Sequence, residues 1–147
     1  MTIYLAADHA GFELKEDIKK MLTAEGFSVV DKGAHTLETG DDYPKYMHAV
    51  AEAVAKDGDS AGILFGGSGE GEAIEANRTA GIRAVVYYGG PEDILILSRE
   101  HNDANILSLG ARFLSRERAR EAVMLWLDTK FSGDMRHTRR NKQIDKL

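Results

Sequence analysis

Ala61-Gly62-Ile63-Leu64-Phe65 runs directly into Gly66-Gly67-Ser68-Gly69-Glu70-Gly71-Glu72. The first five residues read as a short strand buried on both faces. Four glycines in the next six residues turn the backbone sharply and expose its N–H groups just before a helix begins. A bowl of N–H donors suits an anion. Glu72 at its rim does not suit a plain phosphate cradle, where a carboxylate gains nothing. It does suit a loop that stabilises a transient oxyanion while a base removes a proton. The dinucleotide fingerprint fails, because Gly67, Gly69 and Gly71 are spaced two and two and Glu72 stands where the third glycine belongs. The phosphate-loop pattern fails as well, because Gly71 is followed by Glu72 instead of Lys. A strand-to-helix turn with no chemistry is the alternative.

Outward from this loop, strand-like and helix-like segments alternate. Ile3 to Ala7 reads as a strand, and Gly11 to Glu25 as a helix with Leu14, Ile18, Met21 and Leu22 on one face, closed by Gly26. Phe27 to Val30 is a second strand. Pro44 falls in the first turn of a helix lined by Met47, Val50, Ala51 and Val54. A short helix follows the glycine loop through Asn77. Arg83 to Tyr87 and Ile106 to Leu109 are strands flanking a helix from Pro91 to about His101. Ser115 caps the helix carrying Ala119, Ala122, Val123 and Trp126, and a basic segment follows Gly133. This alternation predicts a three-layer α/β/α fold, with a Rossmann-like five-stranded parallel sheet covered on both faces. The chain of 147 residues reads as one domain without repeats or linkers.

Composition narrows the chemistry. A net charge of −5 argues against nucleic acid as a partner, and no apolar stretch is long enough for a membrane span. There is no cysteine, which excludes disulfides, a thiolate nucleophile and a Cys-based zinc site. The N-terminal residues lack the pattern of a signal peptide, so a cytoplasmic location is expected.

In open α/β sheets, ligands sit beyond the carboxyl ends of the strands at a switch point in strand order. Asp8-His9-Ala10-Gly11 ends the first strand and the glycine loop ends the third. In a 2-1-3 order the two would share one crevice. Asp8 equally reads as a helix cap. Asp42-Tyr43-Pro44 is a polar helix start for which capping is the simpler reading. Arg112 follows the last strand. Arg99-Glu100-His101-Asn102-Asp103 ends a helix, where His101 either complements the helix dipole or takes part in acid–base work. Arg136 and Arg140 share a face at one-turn spacing, as a solvated tail or as a clamp for an anion. Tyr87-Tyr88-Gly89-Gly90 is either a plain loop or a wall of the pocket. Together these groups meet the needs of proton abstraction beside a carbonyl.

The same residues, in order along nearly the whole chain, resemble type B ribose-5-phosphate isomerases and their galactose- and allose-6-phosphate relatives. The matching segments are Ala7-Asp8-His9-Ala10-Gly11, Asp42-Tyr43-Pro44, Gly66 through Glu72, Arg99-Glu100-His101-Asn102, Gly110-Ala111-Arg112, and Arg136-His137 with Arg140. The resemblance implies interconversion of an aldose phosphate and a ketose phosphate through an enediolate, with neither metal nor cofactor. Members of that family differ in the base. Some carry a cysteine at the position of Gly66, and others a glutamate at the position of Glu72, the kind found here. By position, Glu72 would move the proton between C1 and C2, with Ser68 beside O1 and O2. N–H groups of the loop spanning Gly67, Gly69, Glu70 and Gly71 would hold the oxyanion, Glu70 itself carrying no assigned role. His101, helped by Asp8, would open the sugar ring. Asn102 and Tyr43 would contact the sugar, and His9, Arg112, Arg136 and Arg140 the phosphate. The resemblance also implies a homodimer or homotetramer with shared sites, in which the basic segment, residues 131–147, reaches a partner. A hexose or tetrose phosphate isomerase, a sugar-phosphate sensor without turnover, and a nucleotide-binding module are the other readings.

Overall fold

The computed structural model describes residues 1–146. All five strands lie in one parallel sheet of order β2-β1-β3-β5-β4, with β1 Thr2–Ala7, β2 Ser28–Asp31, β3 Ser60–Gly66, β4 Ala84–Tyr87 and β5 Ile106–Gly110. The helices are α1 Phe12–Ala24, α2 Pro44–Lys56, α3 Glu70–Ala76, α4 Asp93–Glu100, α5 Arg116–Asp128 and α6 Met135–Ile144. The predicted three-layer α/β/α fold is the observed one.

Layering follows from the direction of each crossover. Parallel connections are right-handed, so those moving one way across the sheet place their helices on one face and those moving back use the other. Accordingly α2 packs beside α3, while α5 packs against both α1 and α4. The apolar stripes fill the two interfaces. Met47, Val50, Ala51 and Val54 of α2 meet Ala6, Leu64 and Ile106 on one face. Ile18 and Leu22 of α1 join Val123 and Trp126 of α5 over Ile3, Leu5, Ile63 and Leu107 on the other.

Element ends differ from expectation by one or two residues, and two of these shifts have a clear cause. β2 starts at Ser28 and not at Phe27, because the Phe27 N–H is bonded back to the Leu22 carbonyl at 3.0 Å in the turn that closes α1. Arg83 lies just ahead of β4, where its N–H donates to Asn105 Oδ1 at 2.9 Å. Ser115 caps α5 as predicted, accepting from the Arg118 N–H at 3.1 Å. The basic terminal segment forms α6, capped by Asp134 through the Arg136 N–H at 2.8 Å. Leu147, the last residue of that segment, lies outside the described residues.

A lysine is buried in the core. Lys15 is fully inaccessible on the inner face of α1. Its ammonium bonds both Asp31 carboxylate oxygens, at 2.8 and 2.9 Å, and the Ala34 carbonyl at 2.5 Å. These bonds tie α1 to the end of β2 and the loop that follows it.

Strand order also sets up the crevice. From β3 the chain jumps to β4 at the sheet edge, then returns to lay β5 between β3 and β4. The carboxyl end of β3 is therefore flanked by that of β1 on one side and that of β5 on the other.

Candidate active site

The glycine loop begins where β3 ends and is pinned to β5. The N–H groups of Ala111 and Arg112 donate to the carbonyls of Gly66 and Gly67, at 2.8 and 3.1 Å. Buried Ser108 donates its hydroxyl to the Gly69 carbonyl at 2.6 Å. Gly69 takes φ +83°, the left-handed region that side chains disfavour, and so starts α3 at a sharp angle. Among the described residues, the N–H groups of Gly67, Ser68, Gly69 and Gly71 find no protein acceptor. That of Glu70 is taken by Ser68 Oγ at 3.3 Å, and the Glu70 side chain faces solvent. Of the predicted loop donors, Glu70 is thus the one already engaged.

Glu72 lies in the first turn of α3 and is 4% exposed. Its carboxylate sits over Gly66, in the space that any side chain there would fill. A base at Glu72 and a cysteine at position 66 therefore compete for one volume. Burial pushes the Glu72 carboxyl above the ordinary range. Its own backbone N–H opposes this by hydrogen bonding, and the Asp8 and Asp41 carboxylates reinforce it.

The rest of the crevice, about 330 Å³, closes around this carboxylate. Asp8 is buried and accepts the Gly11 N–H at 2.8 Å, so it shapes the entry to α1 while lining the crevice. Tyr43, at the start of α2, lays its hydroxyl against Gly71. The Arg112 guanidinium lies against Gly67. The half-buried His9 completes the wall, its Nδ1 3.1 Å from Asp41 Oδ1.

Asp41 is the residue that sequence reasoning missed. Of two adjacent aspartates, Asp42 is exposed, whereas the Asp41 side chain is 1% exposed. No local signal separates the two, since only the path of the loop between β2 and α2 decides which one turns inward.

His101, Asn102, Arg136 and Arg140 are not brought to this crevice within one chain. His101 ends α4 ahead of β5, whereas Arg112 follows β5. A five-residue strand lies between them, roughly 15 Å at 3.3 Å per residue. The expected contact of Asp8 with His101 is accordingly not made within the chain. His101 instead stacks on His137, ring centroids 4.1 Å apart, and its carbonyl accepts from Asn141 Nδ2 at 3.1 Å. Arg136 Nη2 stands 3.3 Å from His137 Nε2. Burial, then His101 and Arg136, hold the His137 imidazole below its ordinary range. Asn102, Arg136 and Arg140 are exposed beside this pair, forming a second cluster rich in cations at the far end of the sheet. Chain order carried this signal, because a helix that precedes a strand ends at that strand's amino edge.

Among the described residues no helix is long and apolar enough to cross a membrane, and no group of three or more His, Asp or Glu is placed to hold a metal ion.

Known proteins resemble this chain over nearly its whole length. The ribose-5-phosphate isomerase B of Escherichia coli is 43% identical over 142 residues, covering 97% of this chain and 93% of that protein. The enzyme of the same name from Mycobacterium tuberculosis is 39% identical over 140 residues, covering 95% and 85%. The crystal structure of ribose-5-phosphate isomerase B from Mycoplasma genitalium with bound ribulose-5-phosphate superposes with a TM-score of 0.93 at 36% identity, covering 99% of this chain and 94% of that one. A ribose 5-phosphate isomerase from Thermotoga maritima gives 0.92 at 41% identity, covering 99% and 98%. The family model described as Ribose/Galactose Isomerase matches residues 3–144, and with these relatives it shows that the chain belongs to the ribose/galactose isomerase family.

Proposed function

We propose that the protein is an aldose–ketose isomerase that interconverts D-ribose 5-phosphate and D-ribulose 5-phosphate. The observation that carries this reading is the buried Glu72 carboxylate, seated over Gly66 beside N–H groups that have no protein acceptor. Similar enzymes bear this name, and one was crystallised with ribulose-5-phosphate.

Starting from the aldose, Glu72 takes the proton from C2, and the bonding pair moves to make the enediolate. The protonated Glu72 then returns the proton to C1. The burial that raises its basicity suits both transfers near neutral pH. N–H groups of Gly67, Ser68, Gly69 and Gly71 receive the charge on the enediolate oxygens. Each such donor lowers the barrier by about 3 kcal/mol where measured in comparable sites. Ser68 carries the proton between O1 and O2. Tyr43 packs on the sugar, and His9 with Arg112 holds the phosphate, supplying orientation remote from the reacting carbons.

One copy lacks the acid that opens the furanose and half of the phosphate cations. His101, Asn102, Arg136 and Arg140 reach a crevice only from a second copy. The site is therefore shared in a homodimer, or in a homotetramer built from such pairs. A cytoplasmic location belongs to the same reading.

The test is isomerisation of ribose 5-phosphate with EDTA present, in parallel with allose 6-phosphate, galactose 6-phosphate and erythrose 4-phosphate. Glu72→Gln is the control. Turnover of ribose 5-phosphate that falls by about 10³-fold in Glu72→Gln, with binding retained, is the expected result. Turnover of a different sugar alone moves the substrate. Binding without turnover by the unaltered protein refutes the enzyme and leaves a sensor.

A further inference from the structure

Asp41 is a buried acidic group at the crevice for which the reading above has no use. Its Oδ1 faces His9 twice, 3.1 Å from the ring Nδ1 and 3.3 Å from the backbone N–H. Its Oδ2 is buried and has no hydrogen-bond partner among the described residues. It does not cap α2, whose N-cap is Tyr43 with no side-chain cap bond. Neither lysine nor arginine pairs with it, and His9 is its one ion-pair partner among the described residues. An ionised carboxylate this deep is costly unless a cation faces it.

The two side chains account for each other. An ionised carboxylate only accepts hydrogen bonds, so His9 Nδ1 must carry a proton. The other nitrogen, Nε2, is then left for the crevice, which the 37% exposed His9 ring lines. A neutral ring would offer a lone pair there, which repels phosphate oxygens. With a phosphate oxygen in the crevice and Asp41 Oδ1 behind the ring, both ring nitrogens are called on to donate. We infer that Asp41 is a positioning residue for the phosphate end of the substrate: it holds the His9 ring with Nδ1–H on itself and with Nε2 turned into the crevice beside Arg112, where it meets a bound phosphate oxygen. The same carboxylate also works against ionisation of Glu72, together with Asp8. One buried charge thus serves both ends of the site.

The identity of the phosphate compound rests on the isomerase reading, whereas the anion site is testable without turnover. The variants are Asp41→Asn, which keeps shape and an acceptor but removes the charge, and Asp41→Ala. Long-range ¹⁵N–¹H spectra of the His9 ring report its tautomer, and titration with inorganic phosphate reports affinity. The expected result is Nδ1–H in the unaltered protein. Phosphate Kd and ribose 5-phosphate KM should both rise by about tenfold in Asp41→Asn, the scale of a lost charge-assisted contact, while kcat changes less. Asp41→Asn decides the matter even where Asp41→Ala unfolds. Wild-type phosphate affinity in Asp41→Asn, or a His9 Nδ1 without its proton, overturns the proposal. A protein that binds phosphate in this Asp41-dependent way but turns over none of the sugar phosphates sinks the isomerase reading and leaves this inference standing.

Discussion

Replacing Gly66 by alanine adds one carbon and two hydrogens, yet it should remove most of the activity. The new methyl would stand inside the volume held by the Glu72 carboxyl, well under any distance real Cβ atoms show. Gly66 does not occupy the left-handed backbone region, so alanine fits its conformation and the strain falls on Glu72. The carboxylate must swing aside by more than an ångström. Displacement of a catalytic group by about 1 Å costs roughly 10²-fold in rate. Stability should change little, within about 1 kcal/mol, because a carboxylate driven towards water recovers solvation that burial denied it. His9 and Arg112 do not touch Gly66, so KM should stay within about threefold of wild type, the pattern of a loss confined to the transition state. Steady-state kinetics on ribose 5-phosphate and a thermal melt measure all three quantities. An alanine variant with kcat within twofold of wild type would show that the carboxylate over Gly66 is not the base, and the mechanism above would fail with it.

Other outcomes are equally direct. The acid limb of kcat/KM should lie above the ordinary glutamate range, about 4.3, because burial and the nearby Asp8 and Asp41 raise the Glu72 pKa and only its ionised form accepts a proton; a limb at or below that value contradicts the assignment. Since the folded pKa is the raised one, ionised Glu72 lowers stability at neutral pH, and this penalty disappears below the unfolded pKa. Glu72→Gln should therefore melt higher than wild type at pH 7, with the difference vanishing by about pH 4. Two inactive variants, Glu72→Gln and His101→Asn, should recover up to about a quarter of wild-type activity when unfolded and refolded together, because half of randomly paired dimers carry one intact shared site; no recovery would refute a site completed by His101 of a second copy. Lys15→Ala should cost about 3–5 kcal/mol in urea denaturation, since it removes the buried cation from the mostly buried Asp31 carboxylate and leaves the partly exposed Lys19 as its lysine partner.

Much of this was readable from the residues. Strands buried on both faces are continuous apolar runs, so β1, β3 and β5 stood out, and each helix showed its inner stripe. The glycine spacing before Glu72 marked a loop built around exposed N–H groups. Two things were not readable locally. That β5 neighbours β3 depends on pairing between residues more than forty positions apart, such as Gly62 with Ile106, and no short-range preference encodes it. That Asp41 and not Asp42 turns inward depends on how the loop packs against His9. The separation of His101 from Glu72 is a third case, set by which edge of the sheet each helix–strand junction faces.

The late arrival of β5 bears on how the chain is made. β4 has its one strand partner in β5, and β3 is open along that edge until β5 fills the gap. During synthesis the first three strands can assemble while residues 84–87 have emerged with nowhere to pair. The growing polypeptide thus presents an unfilled slot in its sheet, a template for misplaced strands, until Gly110 clears the ribosome. The glycine loop is fastened by Ser108, Ala111 and Arg112, which all lie within two residues of that point. A nascent chain therefore acquires a sheet before it acquires a settled loop around Glu72, and closure of the slot and completion of that loop are one event.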